Sequence, residues 1–303
     1  MKFNIQHIRN HEKWGEISSL SNGIIEVEIP TTIGPRITAC RFKGENNIFY
    51  EAPDVEKYLN SEEWYPYGGH RLWHAPEVNP RSYYPDNHPV KIEQTADAIA
   101  FIQSTETSTC IQKSMRIHLK TEGNTLKIDH ILTNQGLWPV ELAGWALSMM
   151  RPNGKAVIPL PRKIPFPQEL QPNHAISVWP YTDLADKRLT FSDRFITIRQ
   201  DPQAEVPLKL GMDCRSNWIG YFMGDSLFIK KFNYIDKGRY PDFGCSVEVY
   251  TDGNMLEMET LSPLQTILPG ESIVHQEEWG LWKMSGMPAN DQEINKVLQE
   301  FVV

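Results

Sequence analysis

Long apolar runs are missing from this chain of 303 residues, and no stretch approaches the length of a membrane-spanning helix. Residues 1–7 have no apolar core before charged residues recur, so the apolar segment of a secretory signal is also missing. We therefore expect a cytoplasmic protein that has no membrane partner.

Cysteine is scarce, and positive charge is not in excess. The four cysteines stand far apart and form no Cys-x-x-Cys pair, which excludes a zinc ribbon or a thioredoxin-type site. The 30 Lys and Arg residues against 38 Asp and Glu residues leave a formal net charge of −8, which would repel a polyanion. We expect no nucleic-acid partner.

Helical periodicity is rare, and period-two alternation dominates instead. Apolar residues alternate with polar ones in residues 25–29, 115–119 and 126–132, which predicts strands with one buried face. Gly123 lies in the short connection between the last two segments and favours a hairpin turn. Many such segments predict an all-β fold, a large antiparallel β-sandwich.

Helix signals are confined to two places. Asn290 precedes Glu293 by three residues, as in a helix cap, and apolar residues follow at helical spacing, which predicts one short C-terminal helix. Residues 54–60 could form a helical turn. No linker or internal repeat divides the chain, so we expect a single domain over residues 1–303.

The densest functional signal lies in residues 62–77. Aromatic faces flanked by polar groups suit a sugar ring, whose C–H patch stacks on Trp or Tyr while its hydroxyls need fixed donors and acceptors. The candidate ligand-binding side chains of this segment are Trp64, Tyr67, Arg71, Trp73 and Glu77. The alternative is an irregular loop whose aromatic side chains pack on the sandwich.

His70 and His74 share one face of a strand or helical turn, and Glu77 follows three residues later. Two imidazoles and a carboxylate could bind a metal, but neutral imidazoles more often hydrogen-bond to substrate or backbone. We expect neither a metal nor another cofactor. His130 is expected to be a hydrogen-bonded core residue, and His275 an exposed strand residue.

A second signal is the pair Glu257 and Glu259. On a strand both project from the face opposite Leu256 and Met258. On a solvated face they would be ordinary surface charges. In a cleft, their repulsion would raise the pKa of one of them and make it a general base or acid.

The chain resembles the galactose-mutarotase-like (aldose 1-epimerase) superfamily in several loose motifs. These are residues 22–27 with 34–37, residues 131–136, and the C-terminal pattern from Glu259-Thr260 through Ser262-Pro263 and residues 268–272 to His275 and Trp279. Residues 67–73 and 75–77, with Tyr250, Glu257 and Glu259, resemble a mutarotase-like group whose members have no agreed activity. The resemblance implies a β-supersandwich with its sugar site on a concave sheet.

The resemblance also implies that Glu259 is a catalytic base that takes the proton from the anomeric hydroxyl. The family's histidine acid is missing, because the sequence reads Trp145-Ala146 at that place. Either His70 or His74 replaces it, or the protein binds sugar without this chemistry. We expect His70, Arg71, Trp73 and Glu259 to converge on one pocket.

The leading hypothesis is a carbohydrate-binding, mutarotase-like epimerase that acts on a free sugar or sugar derivative by general acid/base proton transfer. The alternatives are a non-catalytic glycan-binding module and a lyase or hydrolase on the same sandwich. The expected partner is a small-molecule or oligosaccharide ligand. Lys230 could reach it and would suit an acidic sugar, together with Glu257 and Arg71.

Overall fold

The computed structural model describes residues 6–59 and 61–301; residues 1–5 of the N-terminal segment and Asn60 of the expected helical turn lie outside them. The described elements, in chain order, are β1 Gln6–His11, β2 Gly15–Ser21, β3 Ile25–Pro30, β4 Arg36–Ile37, β5 Ala39–Phe42, β6 Gly69–Ala75, β7 Lys91–Gln94, β8 Ile99–Ile102, β9 Ile111–Leu119, β10 Thr125–Asn134, β11 Val140–Met150, β12 Lys155–Pro159, β13 Ile176–Val178, β14 Leu189–Phe191, β15 Phe195–Arg199, β16 Leu208–Met212, β17 Trp218–Met223, β18 Ser226–Phe232, β19 Val247–Thr251, β20 Leu256–Leu261, β21 Gln265–Ile267, β22 Ser272–Lys283 and α1 Asp291–Phe301. Short 3₁₀ helices occupy Val55–Lys57 and Arg81–Tyr83.

The strands form three antiparallel sheets. The ten-stranded sheet has the order β14-β15-β12-β17-β18-β22-β10-β9-β8-β7, and the eight-stranded sheet has the order β13-β16-β19-β20-β11-β6-β4 with β21 beside β11. A four-stranded sheet, β1-β2-β3-β5, flanks them. The predicted all-β architecture with one short C-terminal helix is confirmed. No helix in the described residues is long and apolar enough to span a membrane.

The two large sheets pack face to face and enclose the main apolar core. His70 of β6 contacts His130 of β10 across the interface, and Lys230 of β18 reaches the carbonyl oxygen of Ala146 in β11. We call the face of the eight-stranded sheet that packs on the ten-stranded sheet its inner face, and the opposite face its outer face. Since side chains alternate along a strand, each strand of this sheet contributes to both faces.

Two local predictions are confirmed in detail. Strands β9 and β10 pair as an antiparallel hairpin, and Gly123 between them has a φ of 89°. Asn290 caps α1, because its Oδ1 accepts hydrogen bonds at 3.1 Å from the backbone N–H groups of Gln292 and Glu293. Ile294 and Leu298 of this helix are buried in an apolar cluster with residues of β17 and β18.

Candidate functional site

The segment expected to be a ligand-binding loop contains a strand near one edge of the eight-stranded sheet. Strand β6 lies between β4 and β11 and is buried on both faces. Gly68 and Gly69 allow this, since a Cβ on either would lie only 2.2 Å and 2.3 Å from the carbonyl oxygens of Tyr50 and Ile37. Polar side chains on both faces obscure the period-two pattern by which a half-buried strand is recognised.

Strand register brings two distant parts of the chain together on the outer face. Trp73 lies opposite Trp145 of β11, and Arg71 lies opposite Leu147, which in turn lies opposite Glu259 of β20. Glu257 projects from the same side, and its Oε1 accepts a hydrogen bond at 2.8 Å from Arg71 Nη1. Arg71, Trp73, Glu257 and Glu259 therefore share one surface.

Glu259 is fully buried at the centre of this surface. Its Oε2 accepts hydrogen bonds from Trp145 Nε1 at 2.8 Å and from Lys209 Nζ at 3.0 Å. Burial raises the pKa of Glu259, and the ammonium of Lys209 opposes this effect. Such opposed influences are the usual means by which a protein prepares a carboxyl group for proton transfer near neutral pH.

A second buried carboxyl group lies beside the first. Glu248 of β19 pairs directly with Glu259 across the two strands, and Lys209 Nζ lies 2.7 Å from Glu248 Oε2. Burial raises the pKa of Glu248 well above its ordinary value, and the nearby charge of Glu259 raises it further against the pull of Lys209. Two carboxylates facing one ammonium cannot both stay ionised in a buried site without a large cost, so we infer that the pair shares one proton.

Aromatic rings surround these charges. Trp73 packs against three rings with centroid distances of 5.7 Å to Trp64, 5.0 Å to Tyr83 and 5.3 Å to Trp145. The guanidinium of Arg71 lies 4.4 Å from the centre of the Trp73 ring. The outer face thus brings aromatic rings, of which Trp64 and Tyr83 are half-buried and the others buried, next to charged donors and acceptors.

Two buried donors on this surface form no hydrogen bond with any described residue. They are the indole Nε1 of Trp64 and the Nε of Arg71. An unpaired buried donor costs about 1–3 kcal/mol. Hydroxyl or carboxylate groups of a ligand would satisfy both.

His70 and His74 share a face as predicted, but it is the inner face, so the expected convergence of His70 with Glu259 is wrong. His70 is fully buried between the sheets, where its Nδ1 lies 2.8 Å from Ser148 Oγ. His74 Nε2 lies 3.4 Å from Glu106 Oε2. The cause is the strand itself, because neighbours of Arg71 and Trp73 must point the opposite way.

Three other candidates also lie away from Glu259 or at its margin. Lys230 is buried on the inner side, where its Nζ contacts two carbonyl oxygens and Glu277 Oε1. Tyr67 packs against Trp14, and its hydroxyl lies 2.8 Å from two acceptors, the carbonyl oxygen of Tyr58 and Asn87 Oδ1. Glu77 is exposed and accepts a hydrogen bond from the hydroxyl of Tyr83.

The inner face also changes the expectations for two other histidines. His130 is a buried, hydrogen-bonded core residue, as predicted. His275 was expected to be exposed, but it is buried, and its Nε2 lies 2.7 Å from Thr260 Oγ1. The alternation along β22 reverses that expectation, because His275 lies on the same side as Ile273, Glu277 and Trp279.

Lys209 and Glu248 were missed by the sequence reasoning, although a signal for them exists. Lys209 is the one charged residue of β16, between Leu208 and Leu210, and Glu248 is flanked by Val247 and Val249. A single charge inside an apolar strand needs a partner of opposite sign, since burying it alone is costly. Taken together, Lys209 in β16 and Glu248 in β19 would have predicted a buried ion pair.

No protein-family model matches the sequence, and neither does any curated protein sequence. Solved structures do match. A proposed aldose 1-epimerase from Klebsiella pneumoniae superposes with a TM-score of 0.61 at 12% identity over 97% of this chain and 85% of that chain. A galactose mutarotase-like protein from Lactobacillus casei gives 0.56 at 8% identity, over 88% and 100% of the two chains. A galactose mutarotase related enzyme from Lactobacillus acidophilus gives 0.50 at 12%, over 90% and 100%.

The chain has the galactose-mutarotase-like fold. Within this galactose-mutarotase-like chain, Trp145 stands where the sequence resemblance places the family's histidine, and its indole N–H donates to Glu259. The indole is a donor only and has no proton to exchange near neutral pH. It therefore orients the Glu259 carboxylate without replacing the histidine as an acid.

Proposed function

We propose that the protein binds a monosaccharide or sugar derivative on the outer face and interconverts its two anomers, with Glu259 as the base. The observation that carries this proposal is that the Glu248–Glu259 carboxyl pair beside Lys209, two donors without partners among the described residues, and aromatic rings lie on one face of a galactose-mutarotase-like fold. The Klebsiella protein is described as a proposed aldose 1-epimerase and the Lactobacillus acidophilus protein as a galactose mutarotase related enzyme, which supports the same chemistry.

The proposed reaction needs one base and one acid. Glu259 takes the proton from the anomeric hydroxyl, the bond between C1 and the ring oxygen breaks, and the ring oxygen takes a proton from the ammonium of Lys209. The open-chain aldehyde then recloses from either side, with both protons returned. Lys209 is our candidate acid because its Nζ is 3.0 Å from Glu259 and because an alkoxide is more basic than the neutral amine that the proton transfer leaves.

The remaining side chains of the surface would hold the ring. Trp64 and Tyr83, which are half-buried, offer ring faces for the C–H side of a sugar, and Trp73 supports them from within. Arg71 and Glu257 offer a donor and an acceptor for hydroxyl groups, and Glu77 stands at the margin beside Tyr83. Arg71 is paired with Glu257, and Lys209 is paired with Glu248 and Glu259, so the charge of this surface suits a neutral sugar better than an acidic one.

One observation favours a second function, a glycan-binding module without catalysis. Glu259 is fully buried, and two of its possible contacts are already occupied by Trp145 and Lys209. A site of this kind could hold a sugar through its rings and charges while no proton moves.

The experiment that separates the two functions uses the purified protein with a panel of monosaccharides and uronic acids. Polarimetry follows the approach to anomeric equilibrium, and calorimetry measures binding. For the enzyme we expect a sugar that binds and whose equilibration is accelerated. Binding without acceleration supports the module, and neither binding nor acceleration for any sugar contradicts both.

Glu259→Gln is the decisive variant, because the amide keeps the shape and removes the base. We expect turnover to fall by about a hundredfold or more while substrate affinity changes little. Glu205→Gln, at an exposed loop position, is the matched control and should leave both unchanged. Equal turnover in Glu259→Gln and the wild type would show that Glu259 is not the base.

A further inference from the structure

The space between the two large sheets holds a cluster of three metal-ligand side chains. His70 comes from the eight-stranded sheet, whereas His130 and Glu277 come from the ten-stranded sheet, and all three side chains are fully buried. Among residues 6–59 and 61–301, no other three histidine, cysteine or carboxylate side chains bring their ligand atoms so close together. This set differs from the His70, His74 and Glu77 combination that the sequence spacing allows.

The distances within the cluster suit a small ion. His70 Nε2 and His130 Nε2 are 2.6 Å apart, and Glu277 Oε2 lies 4.0 Å and 3.8 Å from them. The point equidistant from the three atoms is about 2.1 Å from each, which is the length of Zn–N and Zn–O bonds in proteins. This point lies in the plane of the three atoms, so a tetrahedral ion would need the two imidazoles to move apart and the Glu277 carboxylate to move closer to them.

Each of the three groups is held from behind by a further hydrogen bond. His130 Nδ1 donates to the carbonyl oxygen of His275 at 3.0 Å, which leaves its Nε2 lone pair directed at the cluster. His70 Nδ1 lies 2.8 Å from Ser148 Oγ, and Trp279 Nε1 donates to Glu277 Oε2 at 2.7 Å. Metal-ligating histidines and carboxylates are oriented by partners of this kind.

Without an ion, the two imidazoles satisfy each other. The Nε2–H of His70 donates to His130 Nε2, while Ser148 Oγ–H donates to His70 Nδ1. Metal binding then needs one local change, in which the proton of His70 moves to Nδ1 and donates to Ser148. The Ser148 hydroxyl accepts as readily as it donates, so the cluster is compatible with both states.

The charge of Lys230 lies on the far side of the carboxylate. Its Nζ contacts Glu277 Oε1 at 2.8 Å and is also held by the carbonyl oxygens of Ala146 and Met258 at 3.0 Å and 3.2 Å. The oxygen that faces the imidazoles, Oε2, has no contact with a lysine among the described residues. It remains the negative ligand that a divalent ion requires.

We propose that His70, His130 and Glu277 bind a divalent first-row transition-metal ion, with zinc as the expected occupant, that joins the two sheets. Two imidazoles and one carboxylate are borderline ligands that suit zinc, and three protein ligands leave one position for water. The ion would lie directly behind Arg71, on the side of the sheet opposite the sugar surface. Three protein ligands are one fewer than structural zinc sites have, so we assign the role of joining the sheets on the burial of all three side chains, and this role does not depend on the proposed sugar chemistry.

The test begins with the untagged protein, purified without chelator and surveyed for metals by mass spectrometry. We expect about one first-row metal ion per chain, as in a structural zinc site. His130→Gln should lose it, while His174→Gln, at an exposed position, should retain it. Equal metal content in the His130→Gln variant and the wild type would overturn the assignment of the ligands.

A second measurement keeps the proposal testable if His130→Gln fails to fold. The wild-type chain is unfolded with chelator, refolded without metal and titrated with cobalt(II). We expect visible absorption bands typical of a tetrahedral cobalt site at one equivalent, together with a rise in melting temperature. Purified protein without metal whose refolded form shows neither change would overturn the proposal.

Discussion

Glu259 and Glu277 are both fully buried, and each lies within hydrogen-bonding distance of a lysine, yet their pKa values are displaced in opposite directions. Burial raises the pKa of Glu259. Lys209 does not offset this effect, because it is shared with Glu248 and because Glu257 adds negative charge nearby. Burial acts the same way on Glu277, but Lys230 and two imidazoles outweigh it and lower the pKa. The number of negative groups for each cation decides the result.

The two faces of one sheet therefore have different chemical characters. The outer face gathers three carboxyl groups, two cations and two buried donors that have no partner among the described residues. The inner cluster has one carboxylate whose oxygens already accept hydrogen bonds from Trp279 and Thr260. Consecutive residues of β6, His70 and Arg71, belong to the two different systems.

Substituting methionine for Lys230 or for Lys209 should show the difference between the two faces most clearly. In the metal-free protein, Lys230→Met leaves an ionised Glu277 between the sheets, so we expect a loss of about 3–5 kcal/mol in the free energy of unfolding. Lys209→Met should cost less, because Glu248 and Glu259 can take up a second proton, but turnover should fall by about a hundredfold as the acid is lost. Urea unfolding and polarimetry of both variants measure these effects.

The opposite ranking would contradict the inference of a shared proton. If Lys209→Met were the more destabilising of the two, the carboxyl pair would have to remain ionised without its cation. Lys57→Met, at an exposed position, controls for the loss of a surface charge. We expect it to change neither stability nor turnover appreciably.

A third buried ion pair, Glu106 with Lys113, should make the stability of the fold depend on pH. Glu106 lies 2.7 Å from Lys113, and although burial opposes ionisation, Lys113 and His74 lower the pKa of Glu106 to about 2. Since the folded pKa lies below the unfolded one, ionised Glu106 stabilises the fold above about pH 4.5, and this contribution disappears as the pH falls toward 2. Glu106→Gln should therefore cost about 2–3 kcal/mol at pH 7.

The measurement is urea unfolding of wild type and Glu106→Gln at several pH values between 7 and 3. We expect the difference in free energy to narrow below about pH 4.5. Glu122→Gln, in an exposed turn, should show no difference at any pH. A gap that stays constant down to pH 3 would mean that the substitution acts through packing and not through charge.

The strand pattern of the fold could be predicted because alternation is a local property. Residues 25–29 and the β9–β10 hairpin show it plainly, and the Asn290 cap of α1 is equally local. The sharing of one face by Glu257 and Glu259 also follows from period two alone. Each of these features needs only a few neighbouring residues to be recognised.

The pairing of distant residues could not be predicted in the same way. Arg71 and Glu257 are 186 positions apart, and nothing near either one identifies the other. The sequence suggests Lys230 as the cation of the site, whereas strand order places Lys209 beside Glu259. The wrong expectation that His70 meets Glu259 has a local cause. His70 and His74 alternate with Arg71 and Trp73 along β6, so the two pairs lie on opposite faces once the segment is recognised as a strand.

The smallest expected effect concerns the unpaired indole N–H of Trp64. The sequence alone predicts that Trp73→Ala weakens glycan binding and leaves stability intact, but Trp73 is buried among three rings, so that substitution should now lower both. Trp64→Phe is the milder change, because it keeps one aromatic ring while it removes the donor without a partner and the second ring of the indole.

If Trp64 Nε1 binds a sugar oxygen, Trp64→Phe should weaken the affinity by about tenfold, which corresponds to one hydrogen bond of about 1.4 kcal/mol. The free energy of unfolding should fall by no more than about 1 kcal/mol, since removal of an unsatisfied buried donor offsets part of the packing that the smaller ring loses. Calorimetric titration with the best sugar of the panel and urea unfolding give the two numbers. Tyr58→Phe, in a ring stack away from the outer face, is the matched control. Unchanged affinity in Trp64→Phe would place the sugar elsewhere on the outer face and leave the Trp64 donor unexplained by a ligand.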